Sequence, residues 1–246
     1  MTTFWKLTWV ELKLFAREPV SVLFTFAFPL VMLVVLAGVF GSESEAESFF
    51  GLRPTDYYGA AYPSVVIAAI GLVAVPVHLA GYRERGVLRR FRASSVPVTA
   101  VIGSQLLVGL VATVIGAVVL VIAAVLLYDS ALPESVGGAV LSMLVATVAF
   151  LGLGLLLGSL ARNARSAQAL GMLLFFPLVI LSGAGPPHDV MGDAMANVAG
   201  VLPLTWVVDA SLEPWLFSGL SASNLLLLLG LLVVSVAVSI RRLRPT

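Results

Sequence analysis

The chain has 246 residues, of which 60% are hydrophobic and only 11% are charged, too few charges for a soluble domain of this length. The formal net charge is +1, which says little about partners because the basic and acidic residues lie in different connecting segments. There is no cysteine, so disulfides, thiol catalysis and thiolate metal sites are excluded.

Residues 4–18 have the pattern of an amphipathic helix lying on the inner membrane surface. Lys6, Lys13 and Arg17 fall on one face at helical spacing. The opposite arc carries apolar side chains: Phe4, Trp5, Trp9, Leu12 and Phe15. Such a basic face opposite an aromatic one suits the headgroup boundary. A proline after Glu18 favours a break there, although the segment can also be interpreted as an N-terminal extension of the first span.

Six apolar stretches follow, each able to supply the ~20 residues that cross a hydrocarbon core as a helix. The predicted spans are about 20–40, 58–80, 100–127, 137–160, 167–183 and 221–240. The first is too long for the apolar core of a signal peptide and begins too far from the start. In the fourth, Gly154 and Gly158 form a G-x-x-x-G pair, a spacing that lets helices approach closely, although glycine is also ordinary in membrane helices. The pattern predicts an all-α integral membrane protein with one domain over residues 1–246.

The charges between the spans are distributed asymmetrically. With the N-terminus in the cytoplasm, thirteen of the 14 basic residues lie inside and ten of the 13 acidic residues lie outside. Arg53 is the basic residue that falls outside. The positive-inside rule therefore places both termini in the cytoplasm. Arginine-rich, alanine-rich usage indicates a bacterial chain, and hence the bacterial cytoplasmic membrane.

The segment 83–95, between the second and third spans, carries the densest charge in the chain. Its helical propensity, size and position favour docking to a cytoplasmic motor. The alternative interpretation is a solvated loop that only fixes the membrane topology.

Residues 184–219, between the fifth and sixth spans, are too polar to cross the membrane and too apolar for a free loop. Apolar residues recur at helical spacing from Val190 to Val201 after a candidate cap at Asp189. A second short helix is predicted from Pro203 toward Leu216. We therefore predict two short helices on or within the outer leaflet.

No site for covalent chemistry stands out. The sequence contains two histidines, and it lacks the G-x-x-x-x-G-K-[ST], H-E-x-x-H and G-x-S-x-G motifs. We predict no catalytic, cofactor-binding or metal site in this chain. Carriers driven by protons or sodium keep ionisable groups within their spans, and here the candidate is His78, for which an interfacial position is the simpler interpretation. Whatever the chain moves, the energy is expected to come from elsewhere.

Over nearly its whole length, the chain resembles the membrane subunit of a type-2 ATP-binding-cassette (ABC) exporter. Three stretches carry the resemblance. Phe-Ala-Arg-Glu-Pro at 15–19 is similar to the junction after the elbow helix of that family, and 83–95 is similar to its R-E-x-G-x-L-x-R-L-R-A-T/S pattern. The third comprises Leu-Ser-Gly at 181–183, Pro-Leu-Thr at 203–205 and Asp-Ala at 209–210. Ser-Leu-Glu follows at 211–213, where relatives often have an arginine, so no role of that arginine is transferred.

The resemblance implies an export machine of two permease subunits, identical or different, and two separate ATPase subunits that bind ATP and Mg²⁺. It implies that residues 4–18 form an elbow helix and that 83–95 contains a coupling helix docking to the ATPase, with Leu88 and Phe91 as apolar anchors. The candidate coupling residues are Arg83, Glu84, Arg85, Gly86, Leu88 and Phe91.

By the same resemblance, the first and fifth spans approach the second permease and border the transport path together with the second span. Four phenylalanines are candidates for the wall of that path: Phe24, Phe28, Phe175 and Phe176. The alternative interpretation is that these side chains face lipid or pack within the subunit.

The leading interpretation is a permease that moves a hydrophobic or amphiphilic substrate, such as a drug, an antibiotic or a lipid-like molecule, out across the membrane. Its expected partners are the ATPase, the second permease and membrane lipids, and not nucleic acid. One alternative is a self-sufficient secondary carrier or channel, which predicts titratable groups within the spans. Another is a non-transporting scaffold or sensor whose basic loop recruits a soluble partner.

Overall fold

The computed structural model describes residues 2–40, 49, 52–87, 90, 98–188 and 191–243, and its secondary structure there is helical throughout. An N-terminal helix, Thr2–Ala16, comes first. Within the described residues, six helices are long and apolar enough to cross a membrane, here called the first to sixth spans. They are Pro19–Val39, Pro54–Glu84, Ala100–Tyr128, Val136–Leu160, Ala164–Leu181 and Ala222–Arg242. The predicted all-α membrane fold with six spans is confirmed.

The charged residues next to the ends of the spans lie at two opposite ends of the helix bundle. Arg83, Arg162 and Arg241 lie at one end, here called the basic end, and Asp56 and Asp129 lie at the other, the acidic end. The third and sixth spans are the apolar parts of the helices Val98–Tyr128 and Ala222–Leu243.

Two short helices, Asp193–Ala199 and Pro203–Leu216, connect the fifth and sixth spans. Their axes differ by 88°. The second starts at the predicted proline. The first starts at Asp193, and the predicted cap at Asp189 lies outside the described residues.

The N-terminal helix and the first span are separate helices. The former ends at Ala16, and the latter begins at Pro19, whose missing N–H is not needed at a helix start. The Glu18 carboxylate accepts the N–H of Ser21 at 2.7 Å and so caps the first span. The predicted break is confirmed, and the alternative of one continuous helix is wrong.

The second span lies at the centre of the bundle, with 89% of its most apolar stretch buried against 17% for the sixth span. It is a chain of helical pieces: Pro54–Ala61, Pro63–Ala69, a π-helical turn Ile70–Ala74, and Val75–Glu84. The first span contains a similar π-helical turn, Leu23–Ala27. Such turns widen the helix locally and are frequent at functional sites.

Glycines of the fourth and fifth spans allow close packing against the second span. A Cβ on Gly154 would lie 2.5 Å from the carbonyl oxygen of Gly71, and one on Gly158 would lie 3.0 Å from Leu79 Cβ. A Cβ on Gly171 of the fifth span would overlap the Leu72 carbonyl. The close approach predicted from the G-x-x-x-G spacing is thus confirmed.

Arg53, the exception to the charge asymmetry, forms an ion pair at the acidic end. Its guanidinium donates to both carboxylate oxygens of Asp56, at 2.8 and 3.0 Å, and to the carbonyl oxygen of Asp129 at 2.9 Å. Asp56 in turn accepts the N–H of Ala131 at 2.7 Å. The hydrogen bond and charge of Asp56 raise the pKa of Arg53. This arginine therefore fastens the start of the second span to the turn after the third.

Candidate functional site

The candidate coupling segment begins where the second span ends. The helix stops at Glu84, and Gly86 adopts φ of +66°, a left-handed conformation that glycine tolerates without a steric penalty. The Gly86 N–H donates to the carbonyl oxygen of Arg83 at 3.2 Å. Of the six candidate coupling residues, Arg83 to Gly86 are described, whereas Leu88 and Phe91 lie outside the described residues.

Arg83 caps the end of the fourth span. Its Nη1 atom donates to the carbonyl oxygens of Gly158, Ser159 and Ala161, at 3.0, 2.7 and 3.2 Å. The last carbonyls of a helix have no partner within the helix and carry partial negative charge. The guanidinium donates hydrogen bonds to these carbonyls, and its positive charge offsets their partial negative charge. Arg83 therefore joins the second span to the fourth.

Glu84 holds the start of the fifth span. Its carboxylate accepts the N–H of Ala164 at 3.1 Å, where the positive end of the helix dipole favours an anion. Asn163 and Ser166 complete this helix start as a capping box. Arg83 and Glu84 therefore link the candidate coupling segment to the fourth and fifth spans, which flank the turn that contains Arg162. Arg85 is exposed and lies over the Tyr82 ring, 6.0 Å from its centroid.

The four candidate phenylalanines form one cluster between the first and fifth spans. Ring centroids lie 5.5 Å apart for Phe24 and Phe175, 5.6 Å for Phe28 and Phe175, and 6.0 Å for Phe28 and Phe176. These separations and steep interplanar angles are typical of edge-to-face packing. Phe175 is fully buried and Phe176 is 41% exposed, so the cluster has an inner member and an outer member.

A buried polar cluster beneath the N-terminal helix escaped the sequence analysis. Glu11 is 3% exposed and accepts a hydrogen bond from Tyr82 Oη at 2.7 Å. Burial raises the pKa of the Glu11 carboxyl, and the hydrogen bond from Tyr82 offsets part of that effect. The available signal was position, because Glu11 lies one helical turn before the buried Phe15 and so shares its face.

The same cluster includes His78 and Gln105. Both border a cavity of about 20 Å³ beside Glu11, which has room for about one water molecule. The His78 ring stacks on Phe15 with centroids 6.4 Å apart, and its buried Nε2 atom has no hydrogen-bond partner among the described residues. The cluster joins the N-terminal helix to the second and third spans at the basic end.

Comparison with protein families gives a match over most of the chain. A family model described as ABC-2 type transporter matches residues 2–214, which run from the N-terminal helix into the second of the two short helices. The match includes Arg83, Glu84 and all four clustered phenylalanines. No curated protein matches the sequence. Among the described residues, no group of three or more His, Asp or Glu side chains could hold a metal ion.

Proposed function

Because this chain belongs to the ABC-2 type transporter family and is a membrane permease component without an ATPase site of its own, we propose that it exports a hydrophobic or amphiphilic substrate with energy from a separate ATPase subunit. The proposed setting is the bacterial cytoplasmic membrane, with both termini in the cytoplasm. Membership in this family favours a permease over a self-sufficient carrier, a channel or a scaffold.

One observation supports mechanical coupling above the others. Arg83 and Glu84 bind the ends of the fourth and fifth spans directly. When the ATPase moves the docked segment 83–95, these hydrogen bonds transmit the displacement to three spans at once. Without such links, the segment would act on the fourth and fifth spans only through their packing against the second span.

The fifth span carries this displacement toward the proposed transport path. It is an 18-residue helix, about 27 Å long, and it presents Phe175 and Phe176 to the first span. Its movement relative to the first span opens or closes the contact with Phe24 and Phe28. A wall of aromatic side chains favours an apolar or amphiphilic substrate, because it has no polar group to replace lost hydration.

The permease is proposed to act as a pair, with a second copy of this chain or with a relative. The first and fifth spans expose apolar side chains outside the bundle, among them Val31, Val35, Leu173 and Ile180. In the assembled complex, such faces meet either lipid or the second permease. Pairing through them places two aromatic clusters around one shared path.

The deciding experiment is co-purification with an ATPase subunit, identified by mass spectrometry. The sharpest variant is Leu88→Ala/Phe91→Ala, which removes the two proposed anchors and leaves the Arg83 and Glu84 hydrogen bonds intact. A matched control is Phe217→Ala/Leu220→Ala, which removes the same residue types from exposed positions near the acidic end.

We expect wild type and control to recover the ATPase and the anchor variant to lose it. In proteoliposomes, the first two should then show ATP-dependent substrate transport. If folded wild type recovers no ATPase, the proposed energy source is wrong. If the anchor variant and the control behave alike, the proposed docking site is wrong.

A further inference from the structure

A pocket of about 420 Å³ opens at the basic end, where three separate elements meet. Each contributes one arginine: Arg17 follows the N-terminal helix, Arg85 follows the second span and Arg165 begins the fifth. All three residues are exposed. The fold thus concentrates positive charge from positions that are far apart in the sequence.

None of these three arginines forms an ion pair within the described residues. The ion pair of the described part of the chain, Arg53–Asp56, lies at the acidic end. Glu18 borders the pocket, but its carboxylate is held by the N–H of Ser21. With three arginines and one glutamate, the pocket wall has a net positive charge, which favours the binding of an anion.

The remaining wall combines apolar surface with an interfacial position. Leu14, Pro19 and Val77 border the pocket. On the same N-terminal helix, Trp5 and Trp9 are 62% and 58% exposed, and exposed tryptophan is typical of the headgroup level of a membrane. A soluble phosphate would use only the arginines, whereas a phospholipid would also cover the apolar wall.

We propose that this pocket binds the headgroup phosphate of an anionic phospholipid of the inner leaflet. Guanidinium groups match phosphate oxygens in paired hydrogen bonds, and basic pockets between membrane helices on the cytoplasmic side suit anionic headgroups. The acyl chains extend past Leu14 and Val77 toward the hydrocarbon. Since the arginines belong to three elements, the bound phosphate braces the N-terminal helix against the second and fifth spans.

The test measures lipid binding to the full chain purified without any ATPase, so its outcome is independent of the export proposal. Native mass spectrometry of delipidated protein, titrated with phosphatidylglycerol, phosphatidylcholine or inorganic phosphate, gives an apparent Kd for each. The pocket variant is Arg17→Gln/Arg165→Gln, which leaves Arg85, a candidate coupling residue, in place. The control, Arg241→Gln/Arg242→Gln, removes two exposed arginines from the same end but outside the pocket.

We expect wild type and control to prefer phosphatidylglycerol, and the pocket variant to bind it about 25-fold more weakly, since each basic residue near an anionic headgroup contributes about fivefold. An equal loss in the control would assign the binding to diffuse surface charge and overturn the proposal. Tight binding of inorganic phosphate without a preference for phosphatidylglycerol would replace the lipid with a soluble anion. Unchanged phosphatidylglycerol binding by the pocket variant would also overturn the proposal.

Discussion

At the scale of single residues, the Glu11 carboxyl introduces a pH dependence into the attachment of the N-terminal helix. Burial raises its pKa above the ordinary 4.5, so folding takes up a proton between that value and the raised one. Its contribution to stability is therefore most favourable at low pH and is lost as the pH rises through the raised pKa. We expect the unfolding temperature to fall, as the pH is raised above the ordinary value, more steeply in wild type than in Glu11→Gln.

Thermal unfolding in detergent, followed by tryptophan fluorescence, measures both slopes. Every other titratable side chain is present in both proteins, so the difference between the two slopes reports on Glu11. Parallel curves would show that this carboxyl has the same proton affinity in the folded and unfolded chain.

Truncation of Phe175 and of its neighbour Phe176 is expected to affect different properties of the protein. Phe175→Ala empties a fully buried site and should lower the free energy of unfolding by about 3–5 kcal/mol. Phe176 is 41% exposed, so Phe176→Ala should change stability by less than about 1.5 kcal/mol while altering which substrates are transported. Chemical denaturation and transport assays on both variants distinguish the two roles. A loss of stability at Phe176 as large as that at Phe175 would argue for packing alone.

At the scale of the elements, the fourth and fifth spans can pack closely against the π-helical turn of the second span because they have glycine at the points of contact. Gly171→Ala places a Cβ against the Leu72 carbonyl, and relief of that overlap requires a backbone shift costing about 1–3 kcal/mol. Gly230→Ala in the sixth span is the matched control, since no atom lies within 4 Å of its added Cβ. We expect a lower unfolding temperature for Gly171→Ala and an unchanged or slightly higher one for Gly230→Ala. Equal unfolding temperatures would contradict the tight packing at this turn.

The existence of the spans could be predicted from the sequence, but their arrangement could not. Length and apolarity suffice to mark a crossing helix, and the six predicted stretches correspond to the six spans. In an all-apolar helix, however, periodicity does not indicate which face is buried. The second and third spans are both strongly apolar, yet 89% of the most apolar stretch is buried in the second span and 33% in the third. The two π-helical turns likewise leave no mark in hydropathy.

At the scale of the whole molecule, one continuous path joins the basic end to the aromatic cluster. Arg83 and Glu84 tie the second span to the fourth and fifth, and Phe175 ties the fifth to the first. Family resemblance predicted that these residues matter, and the structure brings the four phenylalanines together. It could not predict that Arg83 and Glu84 bind their own chain, because a sequence pattern marks a charge without revealing whether its partner is in the same chain.

The predicted orientation of the molecule rests on the cost of moving arginine across a membrane, and the absence of cysteine makes it directly testable. Leu132→Cys introduces a thiol in the turn between the third and fourth spans, where the side chain is 63% exposed. Arg162→Cys does so between the fourth and fifth spans, also at an exposed position.

With thirteen of 14 basic residues on the side opposite to residue 132, the positive-inside rule places residue 132 outside and residue 162 inside. We therefore expect a membrane-impermeant maleimide to label Leu132→Cys in intact cells and Arg162→Cys only after permeabilisation. The cysteine-free wild type supplies the blank. The reverse pattern would invert the molecule and place the candidate coupling segment outside, away from any ATP. Labelling of both variants in intact cells would mean that the fourth span does not cross.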